Sequence, residues 1–317
     1  MATTKSKKTA KKSSKPASKT AKTAKAVKTV KTVKSEANEA PVQTQTSKNP
    51  FKGFFARKYD SGETILTIFK NPKIYGAIIG EIVGTMLLTL ILLTLGIYQP
   101  LYIMFGVIAI SAAVLAFSGA NLNPLVTVGM MVTRRMSVIR GVIYMVSQVI
   151  GAWFAWLISS AFLGAADGAA TTELPKMATL DPEKFWVITM IEFVTAIMIA
   201  FFFARAYAYK RSTLTFAAIY GTGICVSLLF AIVVSSSFLG MQNNFIVNPA
   251  AALMYQVLPT GGENFGAVLG DVCLALATYV VFPMIGGIIG FAISDVAAKL
   301  SGTACACGVN CACKEKK

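Results

Sequence analysis

Two stretches of this chain run without a charged side chain over lengths that a water-soluble domain does not sustain: Ile82–Thr133, 52 residues, and Ser212–Gly262, 51 residues. A membrane-crossing helix needs about 20 mostly apolar residues, so each stretch has room for more than one crossing. Gly141–Ala166 and Val272–Ser294 are shorter runs of the same kind. Only 14% of the 317 residues are charged and 55% are hydrophobic, against about 25% charged in a soluble domain. A disordered chain and an ordinary soluble domain are both excluded, and the body reads as a multi-pass membrane protein in a lipid bilayer.

The net charge of +16 belongs to one end. Residues 1–73 hold 18 Lys and Arg against 4 Asp and Glu, and the other 244 residues hold 12 against 10. A basic tail is joined to a nearly neutral body, so the charge does not mark a nucleic-acid-binding domain. Residues 1–50 read as a disordered tail. Lys19, Lys22, Lys25, Lys28, Lys31 and Lys34 recur every third residue, a period of neither helix nor strand, and like charges so close repel. The tail has no aromatic platform for bases, and its charge suits anionic lipid headgroups or another polyanion. A linker over 51–76 leads to the body, 77–293, and a second tail covers 294–317.

Six spans are expected, near 77–98, 101–118, 140–163, 185–207, 214–238 and 266–293. Each long uncharged run also contains a segment that is not a span, Gly119–Thr133 and Leu239–Gly262, with Asn, Pro and Gly at membrane depth. Irregular backbone is tolerated there only when buried in protein or lining a watery cavity. The helical part after each Pro is about 9 residues, or about 14 Å, half a bilayer. Two re-entrant half-helices are therefore expected. Arg134, Arg135 and Arg140 mark one connection, Arg205, Lys210 and Arg211 another, and Lys299, Lys314, Lys316 and Lys317 the end of the chain. The alternate connections are neutral or acidic, which puts both termini on the cytoplasmic side.

The body repeats itself. Glu81-Ile-Val-Gly-Thr85 in the first span is echoed by Glu192-Phe-Val-Thr195 in the fourth, and Asn123-Pro124-Leu125 by Asn248-Pro249-Ala250. Three spans separate the copies, so the second enters from the opposite face, and the functional site is expected where the copies meet near the midplane. Pro at the first helical position loses no needed hydrogen bond. The Asn before it caps the helix with its side-chain oxygen, which leaves its amide N–H₂ to point outward as a donor. Two half-helices meeting by their N-termini place about half a positive charge each at the centre. Such a site repels cations and orients a water or hydroxyl oxygen.

The segment Ser118-Gly-Ala-Asn-Leu-Asn-Pro-Leu-Val-Thr127 resembles the first signature box of the major intrinsic protein family, the aquaporins and aquaglyceroporins, and Asn248-Pro-Ala250 the second. Tyr144-x3-Gln148-x2-Gly151-Ala152 is similar to that family's third span, and Pro283-x2-Gly286-Gly287-x2-Gly290 to its sixth. The resemblance covers about 77–293. It implies an all-α fold of six spans and two half-helices, a homotetramer with one pore per subunit, and a filter that carries over to Ile103, Ser236, Phe245 and Ala251. Three positions depart from the family pattern: Leu125 stands where Ala is usual, Asn121 where a pore-lining His is frequent, and Ala251 where the filter Arg belongs. Phe245 is the aromatic of glycerol-conducting members. Without the Arg, the filter loses a fixed cation and hydrogen bonds for a polyol.

Glu81 and Glu192 are intramembrane acids, and such residues are functional candidates. A proton relay is one reading. The other has each hold its re-entrant loop by accepting backbone N–H groups, as the family also implies. Cys305, Cys307, Cys311 and Cys313 present four thiols that suit a thiophilic metal, acylation beside the membrane, or no ordered role. The chain has no His and no acid–base or nucleophile constellation. The expected function is therefore passive and needs no cofactor: a channel for water and small neutral solutes such as glycerol or urea. The rival readings are a channel for ions or metalloid acids and a non-conducting tether using the Lys-rich tail.

Overall fold

A computed structural model of the chain describes residues 64–95, 99–166, 185–239, 245–257 and 265–301. The Lys-rich tail, most of the linker and the cysteines of the C-terminal tail lie outside the described residues. A short helix, α1 (Ile65–Lys70), opens the described part with a capping box between Thr64 and Thr67. The spans follow as α2 (Lys73–Leu95), α3 (Pro100–Ser118), α5 (Val138–Ala166), α6 (Phe185–Tyr207) and α7 (Thr213–Leu239). Between them α4 (Pro124–Val132) and α8 (Pro249–Ala252) start at the two Asn-Pro motifs. The last span is α9 (Phe265–Leu276), a π-helical turn (Ala277–Val281) and α10 (Phe282–Leu300) in unbroken succession. Among the described residues, six helices are long and apolar enough to cross a membrane, as expected.

Each span is apolar on all sides, because one face meets the protein core and the other meets lipid. In α7 the buried stripe is Ile224, Leu228, Ala231 and Ser235, while Val226, Leu229 and Val233 are exposed on the opposite face. The last span runs to Leu300, seven residues beyond the end expected at 293. Its π turn lies just before Pro283. Proline has no N–H for the preceding turn and its ring crowds that turn's carbonyl, and the extra residue per turn absorbs the conflict.

The repeat in the sequence is a repeat in the packing. In the first half α2 packs against α3 and α5, and in the second α6 packs against α7 and α10. The halves are then crossed: α4 of the first packs on α10, α8 of the second packs on α5, and α3 packs on α7. The half-helices touch each other at the centre. Two glycines permit equivalent close backbone contacts in the two halves. Gly151 of α5 lies against the Ile82 carbonyl, and Gly286 of α10 against the Phe193 carbonyl, each one residue past an intramembrane Glu. A side chain at either position would collide with backbone rather than with a movable side chain. Gly286→Val is therefore expected to destabilise by about 1–3 kcal/mol, read as a lower melting temperature in detergent. Gly270→Val, which faces open space, is expected to leave it unchanged.

Candidate functional site

The two Asn-Pro motifs form helix N-termini as their chemistry predicts. Asn123 is the N-cap of α4, its Oδ1 accepting the Leu125 N–H at 3.0 Å, with Pro124 in the first turn. Asn248 caps α8 in the same way, accepting the Ala250 N–H at 3.1 Å, with Pro249 in the first turn. The first half-helix has nine α-helical residues. The second has four, then a five-residue π turn over Leu253–Val257, so both reach the expected length.

Neither amide is left wholly free. Asn123 Nδ2 donates to the Val247 carbonyl at 2.9 Å, and Asn248 Nδ2 donates to the Leu122 carbonyl at 3.2 Å. Each motif is thus bonded to the residue preceding the other Asn. A primary amide has two N–H donors, so each Asn has one beyond its cross-loop bond. This differs from an outward-pointing N–H₂, and the reason is the neighbouring backbone. Leu122 and Val247 both adopt left-handed conformations, with φ of 58° and 46°. That turn sends each carbonyl toward the opposite loop.

Left-handed backbone at a branched residue is strained by about 1–3 kcal/mol and persists only where the surroundings over-determine it. The intramembrane acids provide that determination. Glu192 accepts the Ile246 N–H at 2.7 Å and the Val247 N–H through both oxygens, at 3.1 and 3.2 Å. Glu81 accepts the Asn121 N–H at 3.1 Å and the Leu122 N–H at 2.8 Å. Both carboxylates are fully buried. The loop-holding reading of these acids is the one whose bonds are present. Gln148 extends the first site: its Nε2 donates to Glu81 at 2.7 Å and to the Thr127 hydroxyl at 2.9 Å, joining α2, α4 and α5. The second site has Pro283 in the corresponding place, three residues before its packing glycine.

Leu125 and Ala250 are fully buried at the junction, and the Leu125 backbone rests against Gly287 of α10. Asn121 is buried as well. Its Nδ2 faces the Thr127 hydroxyl at 3.5 Å, while its Oδ1 has no hydrogen-bond partner among the described residues. Of the four positions carried over to the filter, Ile103, Phe245 and Ala251 are buried in one apolar cluster. Ser236 is not with them. It lies on the exposed stripe of α7, its hydroxyl donating to the Val233 carbonyl at 3.0 Å. Its neighbour Ser235 lies on the buried stripe. The ungapped offset that selects Ser236 crosses the connection at 240–244, and one residue of loop length separates the two choices.

Two capped helix N-termini thus meet inside a bundle of helices long and apolar enough to cross a membrane, an arrangement suited to a membrane channel. A model of the family described as major intrinsic protein matches residues 68–294. The chain belongs to that family, whose members are membrane channels for water and small solutes. No curated protein sequence matches the chain.

Sequence reasoning did not anticipate the reciprocal Asn–carbonyl bonds or the left-handed Leu122 and Val247. Neither position is the glycine that announces such a turn. Asn248→Ala removes both the cap and the cross-loop donor and is expected to destabilise by about 1–3 kcal/mol. Asn248→Asp keeps an acceptor for the Ala250 N–H but loses the donor to Leu122. Thermal unfolding in detergent should rank wild type above Asn248→Asp, with both variants below wild type.

Proposed function

We propose that the chain is a passive channel of broad selectivity for water and small uncharged solutes of glycerol or urea size. The observation that supports it is the pairing of capped half-helices, Asn123 and Asn248 each with one amide N–H remaining, beside a filter position occupied by Ala251. Two half-helix dipoles at one point disfavour cations, while the remaining amide donors suit a water or hydroxyl oxygen. At the constriction Ile103, Phe245 and Ala251 contribute apolar surface only. Ser235, which shares the buried face of α7, replaces Ser236 as the fifth-span contribution. Its hydroxyl already donates to the Ile232 carbonyl at 3.1 Å, leaving its oxygen as an acceptor. An apolar constriction without a fixed cation rejects neutral solutes mainly by size. Asn121 Oδ1, unpartnered among the described residues, supplies a further acceptor for a permeant hydroxyl.

The basic residues of the α4–α5 and α6–α7 connections and Lys299 in the last turn of α10 support a cytoplasmic position for both termini; membership of the family supports a homotetramer, which we place in the plasma membrane. The Lys-rich tail is then placed against anionic lipid of the inner leaflet or another polyanion.

Stopped-flow light scattering on proteoliposomes tests the reading. Fast shrinkage in a sucrose gradient and fast re-swelling in a glycerol gradient are expected. Shrinkage without re-swelling would limit the pore to water, and neither response above that of empty liposomes would contradict the channel. Ala251→Arg, which restores a fixed cation, is expected to keep water permeation and reduce glycerol permeation by about tenfold. Unchanged permeation of both solutes would remove Ala251 from the constriction.

A further inference from the structure

The end of α4 away from Asn123 is fastened in its own way. Arg134 N–H bonds to the Met131 carbonyl at 3.0 Å and Arg135 N–H to the Met130 carbonyl at 2.8 Å. This is a Schellman turn, which needs a left-handed residue at Arg134, and φ there is 56°. Glycine usually fills that place because it has no Cβ to clash. The turn carries Arg135 back over the helix end, where a cation is favoured by the helix dipole.

Among the described residues, Asp295, Phe291 and Thr133 surround the Arg135 guanidinium. Nη2 meets Asp295 Oδ1 of α10 at 2.6 Å, with the two side chains only 14% and 6% exposed. The guanidinium carbon stands 5.0 Å from the centre of the Phe291 ring. Nη1 reaches the Thr133 hydroxyl at 3.5 Å, and that hydroxyl donates to the Gly129 carbonyl at 2.7 Å. Phe291 is itself fully buried, lies against Gly129 of α4 and packs on Phe203 of α6 at 6.0 Å. A buried ion pair adds little net stability over an apolar replacement, so stability alone is a weak reason for two charges here. What the pair does supply is direction: a planar fork and a carboxylate define one seat for the half-helix on α10.

We propose that Arg135 and Asp295 form a positioning clamp that sets the seat of α4, aligns Asn123 with Asn248, and so tunes permeation from the far end of the half-helix. The proposal rests on the channel reading above. The nine residues of α4 are a short rigid lever, and a change of seat at Arg135 is transmitted to its N-terminus.

The test uses the full chain in proteoliposomes with water and glycerol as probes. The ratio of their permeabilities is independent of the number of channels per vesicle and of a simple loss of folded protein. Asp295→Asn is expected to change that ratio about threefold or more and to speed amide hydrogen exchange over 130–133. Arg135→Lys keeps the charge but loses the planar fork and the stacking, and is expected to fall between wild type and Asp295→Asn. Arg134→Gly relieves the strained turn and keeps the clamp, so the wild-type ratio is expected. A folded Asp295→Asn with the wild-type ratio overturns the proposal. If Asp295→Asn does not fold, Arg135→Lys decides: an altered ratio with faster exchange supports the clamp, and any other result overturns it. Wild-type protein that moves neither probe overturns the channel reading instead.

Discussion

The architecture depends on two buried carboxylates holding backbone that would not otherwise keep its shape. Glu81 and Glu192 each accept consecutive N–H groups from a re-entrant loop. Buried N–H groups at membrane depth have no water to turn to, so the carboxylates satisfy them and fix the loop in one step. With the N–H groups fixed, Leu122 and Val247 stay left-handed and their carbonyls face the opposite loop. The Asn amides then close the arrangement reciprocally. The cap oxygens, the carbonyls and the bonded amides form one connected network, whose hydrogen bonds are electrostatically stronger in this buried setting than in water.

The two halves are related but not equivalent. The first loop is tied to α5 through Gln148 and Thr127, and its half-helix is regular to Val132. The second has a proline at the place of Gln148, and its half-helix passes into a π turn after four residues. A π turn lies next to it in the last span as well, and the two are in contact. The first half is thus the better-braced wall. Arg135 and Asp295 add to that bracing at the other end of α4.

Much of this was legible in the sequence because lipid imposes a strict rule. Uncharged runs of about 50 residues had to contain helices, and Asn-Pro within them had to be buried and capped. The six spans, both half-helix starts and the loop-holding role of the two acids follow from that rule together with the inverted repeat. The parts that were not legible are those set by packing across the repeat. Left-handed Leu122 and Val247 carry no glycine signal, since their side chains are needed in the core. The Arg135–Asp295 pair joins residues 160 apart, and neither stands out from the charges that end neighbouring helices. Ser235 and Ser236 are adjacent, and only the rotation of α7 separates a buried serine from an exposed one.

In the proposed channel the paired half-helices enclose a path along which water crosses by exchanging hydrogen bonds with fixed protein groups. The temperature dependence of osmotic permeability in proteoliposomes tests this most directly. A pore lined by preorganised donors and acceptors predicts a shallow dependence, well below that of the protein-free bilayer. A dependence as steep as that of empty liposomes would mean that water crosses the lipid and not the protein, and would rule out the proposed path.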